Sequence, residues 1–231
     1  MKKTGIAILL ILLIKLSFSQ VQELRKYHSI PEEQIVFNFY YNSWTSLPKD
    51  FEMAPQSAGI DLYLMKDIFG KNYPVSFAGG IGISVQNYKN NSMLISTADS
   101  LFFEKIPDTV DYRKNKFATV YIDIPIEFRL RTRPLVKKRN LKIAFGFKIG
   151  YNIQRYTKYD GDNYLGITNY TTVKYKVYDI KNILPYRYGV FTRLGYGKFS
   201  LSAYYSLTPL FDINKAEEIT AFNIGLSITL F

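Results

Sequence analysis

The chain has 231 residues, of which 47% are hydrophobic, 16% aromatic and 21% charged, with a formal net charge of +11 and no cysteine. That apolar content excludes intrinsic disorder, and the missing cysteine removes disulfide frameworks, thiol nucleophiles, zinc-thiolate sites and a lipid-modified N-terminal cysteine. The one histidine, His28, lies in a polar stretch near the start of the mature chain and has no obvious partner for Ser-His or metal-His chemistry. The expectation is a non-enzymatic protein without metal or cofactor.

Residues 1–19 have the grammar of a secretory signal peptide. Lys2 and Lys3 form the basic start, Gly5 to Ile14 is an unbroken apolar run, and Ser17-Phe18-Ser19 supplies small residues before cleavage ahead of Gln20. A membrane-spanning helix needs about twenty apolar residues, and Lys15 ends this run too early. Removing the leader takes Lys2, Lys3 and Lys15 with it and leaves a net charge of +8. The mature chain divides into a short periplasmic segment, 20–33, and one β-domain, 34–231.

From Gln34 onward side chains alternate with period two, the signature of strands with unlike faces. The predicted strands run Gln34 to Trp44, Ser57 to Met65, Val75 to Tyr88, Val120 to Arg131, Leu141 to Gln154, Tyr186 to Tyr196, Lys198 to Thr208, and a terminal segment from Phe222 to Leu230. In the fifth, Leu141, Ile143, Phe145, Phe147, Ile149, Tyr151 and Ile153 oppose Lys142, Ala144, Gly146, Lys148, Gly150, Asn152 and Gln154. The connections at 66–74, 132–140 and Gly197 are short, whereas those at 45–56, 89–117, 155–185 and 209–220 are longer. Short and long loops therefore fall on opposite ends of an up-and-down meander, as in bacterial outer-membrane barrels. The fold class expected is all-β, an eight-stranded antiparallel transmembrane barrel.

Alternation alone also fits a soluble barrel or a sandwich, so the character of each face decides. A soluble barrel needs Lys, Glu and Asp opposite its apolar face. Here the opposite face is small or uncharged, as in Ser76, Ala78, Gly80, Gly82 and Ser84, or Ser200, Ser202, Tyr204 and Ser206. Such residues suit a crowded lumen. Tyr41, Tyr151, Tyr186 and Phe222 near the outer strand ends, with Phe128, Tyr196 and Phe199 near the inner ones, form candidate aromatic girdles.

The four longer loops carry twelve basic and twelve acidic residues, a balance that weighs against nucleic acid or anionic lipid as a partner. The excess falls on the turn residues Arg133, Lys137, Lys138 and Arg139 and on inward strand positions including Lys142. Inward charges need partners in a lumen just wide enough for side chains. Asp61, Asp123, Glu127, Arg129, Lys148, Arg187 and Arg193 are the expected lumen charge network, with Lys148 opposite Pro125 and paired to Asp123, Glu127 or both. Asp123 and Glu127 lie roughly 13 Å apart along one strand, too far for a glycosidase pair. Asp160-Gly161-Asp162-Asn163 lacks the spacing and closing Glu of a calcium loop. Tyr159, Tyr164, Tyr170, Tyr175 and Tyr178 make the loop after the fifth strand a candidate contact surface, because tyrosine offers large amphipathic area at low entropy cost. A hairpin that simply extends the flanking strands is the equal alternative.

Tyr121-Ile122-Asp123-Ile124-Pro125-Ile126 resembles the strand of tyrosine, acid, Ile-Pro and aliphatic residues common in the PorT-like outer-membrane β-barrel family. Tyr205-Ser206-Leu207-Thr208-Pro209-Leu210-Phe211, followed by Asn223-Ile224-Gly225-Leu226, resembles that family's C-terminal end. The family closes on an aromatic residue read by the barrel-insertion machinery; Phe231 matches in type but not in phase, since the outward stripe falls on Leu230. The resemblance implies an eight-stranded barrel in the outer membrane of a Gram-negative cell, held in its lipid. For the family's namesake it further implies an accessory role in type IX protein secretion beside other secretion-system proteins. The functional expectation is a binding or assembly component; the alternative is a barrel that binds a lipid or small ligand through its loops.

Overall fold

The structure, a computed structural model, describes residues 33–47, 50–69, 74–132, 140–166, 170–178 and 180–230. The expected signal peptide at 1–19, residues 20–32 with His28, the turn cations from Arg133 to Arg139, and Phe231 lie outside the described residues. The strands are β1 (Glu33–Thr45), β2 (Ala58–Phe69), β3 (Val75–Lys89), β4 (Ser92–Ser96), β5 (Leu101–Lys105), β6 (Tyr112–Arg131), β7 (Leu141–Asp162), β8 (Thr172–Val177), β9 (Tyr186–Tyr196), β10 (Phe199–Ser206) and β11 (Thr220–Leu230).

Eight of them close a barrel in which each strand pairs antiparallel with the next, in the order β1, β2, β3, β6, β7, β9, β10, β11, with β11 returning to β1. The expected all-β, eight-stranded antiparallel barrel is the architecture found. Strands β4 and β5 form a separate hairpin, and β8 pairs with the far end of β7. At the inner end, Gly197 and Lys198 join β9 to β10; Gly197 has φ 63°, the first central position of a II′ turn, where glycine carries no Cβ penalty. Pro125 sits opposite Lys148 on β7, while on its other side the ladder lapses between Gly79–Ile126 and Gly82–Asp123, where a proline has no N–H to give.

The outward face across the middle of the barrel is apolar and exposed, with Ile60, Leu62, Leu64, Ile81, Ile83, Ile122 and Ile124 among its residues. The inward face is buried and polar, with Asn38, Asp61, Ser84, Gln86, Asp123, Glu127 and Asn223. This inversion of the soluble arrangement is what a lipid solvent demands. Tyr41, Tyr151 and Tyr186 are exposed near the outer rim, the last two with ring centroids 5.2 Å apart, and Phe128, Tyr196 and Phe199 are exposed near the inner one. Phe222 is half-buried.

Three strand ends differ from the sequence expectation by more than two residues. β2 runs four residues past Met65, and β6 and β7 extend outward into the segments taken for loops, 89–117 and 155–185. The cause is a change of environment along one strand. Within the membrane the apolar face points out; beyond it water bathes the outside and the apolar face points in, as with Tyr88, Phe117 and Tyr159, each about 1% exposed. A register irregularity at Val120/Tyr121 accompanies the reversal. Period two persists while its phase flips, and the reversal reads as a strand end.

These outer extensions and loops build the largest apolar cluster of the fold. Trp44, Phe51, Tyr88, Leu101, Phe117, Ile180, Ile183, Leu210, Phe211, Ile219 and Ala221 pack over the outer mouth of the barrel. Trp44 is the hub, with ring centroids 4.8 Å from Tyr88, 5.3 Å from Phe51 and 5.5 Å from Phe103. The polar lumen is thus closed from above by a dry cap.

Candidate functional site

Alternate residues of β2, β3, β6, β7 and β9 turn polar groups into the lumen, where they form two layers. In the outer layer, Arg187 grips Asp123 through Nη2, at 3.0 Å from Oδ1 and 2.8 Å from Oδ2. Lys148 Nζ lies 3.3 Å from Asp61 and 3.6 Å from Asp123 and donates to the Tyr63 hydroxyl at 2.9 Å. Gln86 donates to Asp61 at 2.8 Å, and the Ser84 hydroxyl donates to Asp123. The Arg187 guanidinium stands 3.8 Å over the Tyr121 ring, and Lys148 Nζ 4.1 Å over Tyr204. Two acids face two bases, each charge paired and hydrogen-bonded, which is the condition for keeping such groups out of water.

The inner layer is built on two acids and three guanidiniums. Glu127 accepts from Arg129 and from Arg193, whose Nη2 is 2.6 Å from Oε2. Asp67 accepts from Arg129 Nη1 at 2.6 Å and Arg131 Nη2 at 3.0 Å. Among the described residues, Arg129 Nη2, Arg131 Nη1 and Arg193 Nε are buried without a hydrogen-bond partner, and the layer carries an excess of cation, to which half-buried Lys142 adds at the rim of the same cavity.

All seven expected lumen charges therefore line one lumen. Of the two acids expected for Lys148, it pairs with Asp123, and it also joins Asp61, while Glu127 is taken by the arginines. Asp67 and Arg131 were outside the expected set. Asp67 shares the phase of Asp61, Tyr63 and Met65, so carrying the second strand two residues further was the available signal. Among the described residues, the lumen holds cavities of about 10 Å³ beside Tyr63, Pro125 and Lys148 and about 30 Å³ beside Arg131 and Lys142. Such volumes hold about a water molecule and no organic ligand.

The candidate loop tyrosines separate into two groups. Tyr159 is buried and donates its hydroxyl to the Asp162 carbonyl at 2.9 Å, and its ring packs on Tyr175 at 5.5 Å and Tyr164 at 6.0 Å. Burial pushes the Tyr159 and Tyr164 hydroxyls up to about 12. Tyr159 thus serves the hairpin's own packing and presents no contact surface, because its ring faces inward across β7 and β8. Tyr170 and Tyr178 are exposed. The acidic run at the end of β7 is engaged internally, with Asp160 held by Arg113 at 2.5 Å and Asp162 accepting from the Asp111 amide at 3.0 Å. Among the described residues no cluster of three His, Cys, Asp or Glu side chains is placed to hold a metal ion.

Comparison with known proteins places this architecture in context. No curated protein matches the chain. Among solved structures, it is similar to Ail, the attachment invasion locus protein of Yersinia pestis, crystallised with the heparin analogue sucrose octasulfate, at 10% identity and a TM-score of 0.34, covering 86% of this chain and 97% of that one. Residues 31–212, which hold seven of the eight barrel strands, match the family model for the outer membrane protein β-barrel domain. With its apolar belt facing outward and its charges sealed within, the chain belongs to the outer membrane protein β-barrel family and resides in the outer membrane.

Proposed function

We propose that this barrel is a non-enzymatic binding or assembly component of the outer membrane that serves type IX protein secretion. The observation that carries the reading is the double closure: a lumen filled by paired charges and capped by the Trp44 cluster. A barrel closed in this way acts through its surfaces. The outer hairpin of β7 and β8, with Tyr170 and Tyr178 exposed, is the surface best suited to protein contact. The resemblance of the Tyr121 to Ile126 strand and of the C-terminal region to the PorT-like family supplies the secretion assignment.

The test is deletion of the gene beside removal of residues 160–178, with secreted proteins and small-solute uptake scored separately. Expected is retention of secreted proteins inside the cell in the deletion strain, partial retention in the hairpin variant, and unaltered uptake in both. Normal secretion with impaired uptake contradicts the reading and favours a ligand-carrying barrel.

A further inference from the structure

The balanced charge of the outer segments conceals a spatial segregation. Lys89 on β3 is directly opposite Lys116 on β6, Lys116 opposite Lys158 on β7, and Lys158 opposite Lys176 on β8. Directly opposed residues of antiparallel strands share a face, so four lysines stand in one row across four strands. At about 4.8 Å per strand the row is roughly 14 Å long. The face is the outward one, because the neighbours Tyr88, Phe117 and Tyr159 point into the cap and the loop packing. Like charges set opposite each other are destabilising, whereas opposite charges in the same positions would stabilise the sheet. One step further out, Lys114 and Lys174 flank Asp160, whose carboxylate is already held by Arg113.

We infer that this lysine row is a docking surface for the phosphorylated sugar headgroups of outer-leaflet glycolipid, that is, lipopolysaccharide. Height selects glycolipid over phospholipid. The row lies six residues above Ile122, which faces Tyr151 of the outer girdle; at about 3.3 Å per residue and a tilt near 45° that is roughly 14 Å along the membrane normal. Phospholipid headgroups reach only about 5–8 Å beyond the hydrocarbon, whereas a sugar headgroup continues outward past the row. The aromatic neighbours fit the same ligand. Tyr156 lies between Lys116 and Lys176, with their Nζ atoms 5.5 and 4.6 Å from its ring, and exposed Tyr178 stands 5.7 Å from Lys176. Such rings offer flat faces to the C–H side of a sugar beside cations for its phosphates. Lys116 and Lys158 are each held below the ordinary lysine range, first by desolvation and then by the surrounding lysines. The inference holds whatever process the barrel serves.

The test uses the full mature chain, folded in phosphatidylcholine nanodiscs and titrated with lipopolysaccharide, with the same lipopolysaccharide after enzymatic dephosphorylation, with inorganic polyphosphate and with a DNA oligonucleotide. The variant combines Lys89→Gln, Lys116→Gln, Lys158→Gln and Lys176→Gln; it relieves repulsion, and its folding is checked by resistance to heat unfolding in detergent. A control variant carries Lys105→Gln, Lys181→Gln, Lys198→Gln and Lys215→Gln. The expected result is a loss of lipopolysaccharide affinity of at least about tenfold in the row variant and on dephosphorylation, with the control unchanged. Equal affinity of the row and control variants overturns the inference. Polyphosphate or DNA binding as tight as lipopolysaccharide overturns the glycolipid assignment and leaves a general polyanion surface.

Discussion

Glu127→Ala is expected to lower the stability of the folded barrel by about 3–5 kcal/mol, the range for breaking a buried ion pair by removing one partner. Glu127 is 1% exposed and is shared by Arg129 and Arg193 in the layer where cations already outnumber acids. Among the described residues, its loss leaves Asp67 as the one acid against three guanidiniums, each with an N–H nitrogen that lacks a partner even in the intact protein. Urea unfolding from lipid vesicles measures the effect. Combining Glu127→Ala with Arg193→Met should recover part of the loss, since the orphaned cation goes with its partner. An unfolding midpoint unmoved by Glu127→Ala means that water reaches the layer and the lumen is not sealed.

Trp44→Ala is expected to cost a similar amount, about 3–5 kcal/mol, but to spend it on the cap rather than on the barrel. Trp44 is 4% exposed and stacks on rings from the first loop, the outer end of β3, the β5 strand, the β6 extension and the last loop. Removing it takes away the shared wall of those contacts and leaves a cavity among segments that its one ring joins. Protease added to intact cells should then cut within 46–57 or 207–219 far faster than in the parent, while the transmembrane portion keeps its heat resistance. Unchanged protease resistance would show that the loops are held by something other than the apolar cluster.

The barrel was legible in the sequence because a strand in lipid carries its signal on every second residue. In β7 the outward series from Leu141 to Ile153 is apolar without exception, and Lys148 opposite Pro125 follows from a short inner turn and facing parity. Asp67 was lost because strand two was ended at Met65, although Asp67 continues its inward phase to the inner rim. The cap was illegible for a different reason. Trp44, Phe51, Phe103 and Phe211 are far apart in sequence and come together only when four connections fold over one mouth. The lysine row shows the same limit for charge: adding residues along all four longer loops gives balance, whereas the register of β3, β6, β7 and β8 gathers four lysines on one face. Composition carries no cross-strand register, and register decides which charges meet.

The central claim is that this outer-membrane barrel is closed to solutes along its whole length. Single-channel recording of the folded barrel in planar bilayers tests it most directly, with the parent beside a variant carrying Trp44→Ala. Lys148, Arg187, Tyr63, Tyr121 and Tyr204 block the outer layer independently of the cap. The account predicts no stable ion conductance from either protein, because an eight-stranded lumen filled by side chains has no continuous water path. Steady channel openings in the parent, with a conductance that scales with salt concentration, would contradict it.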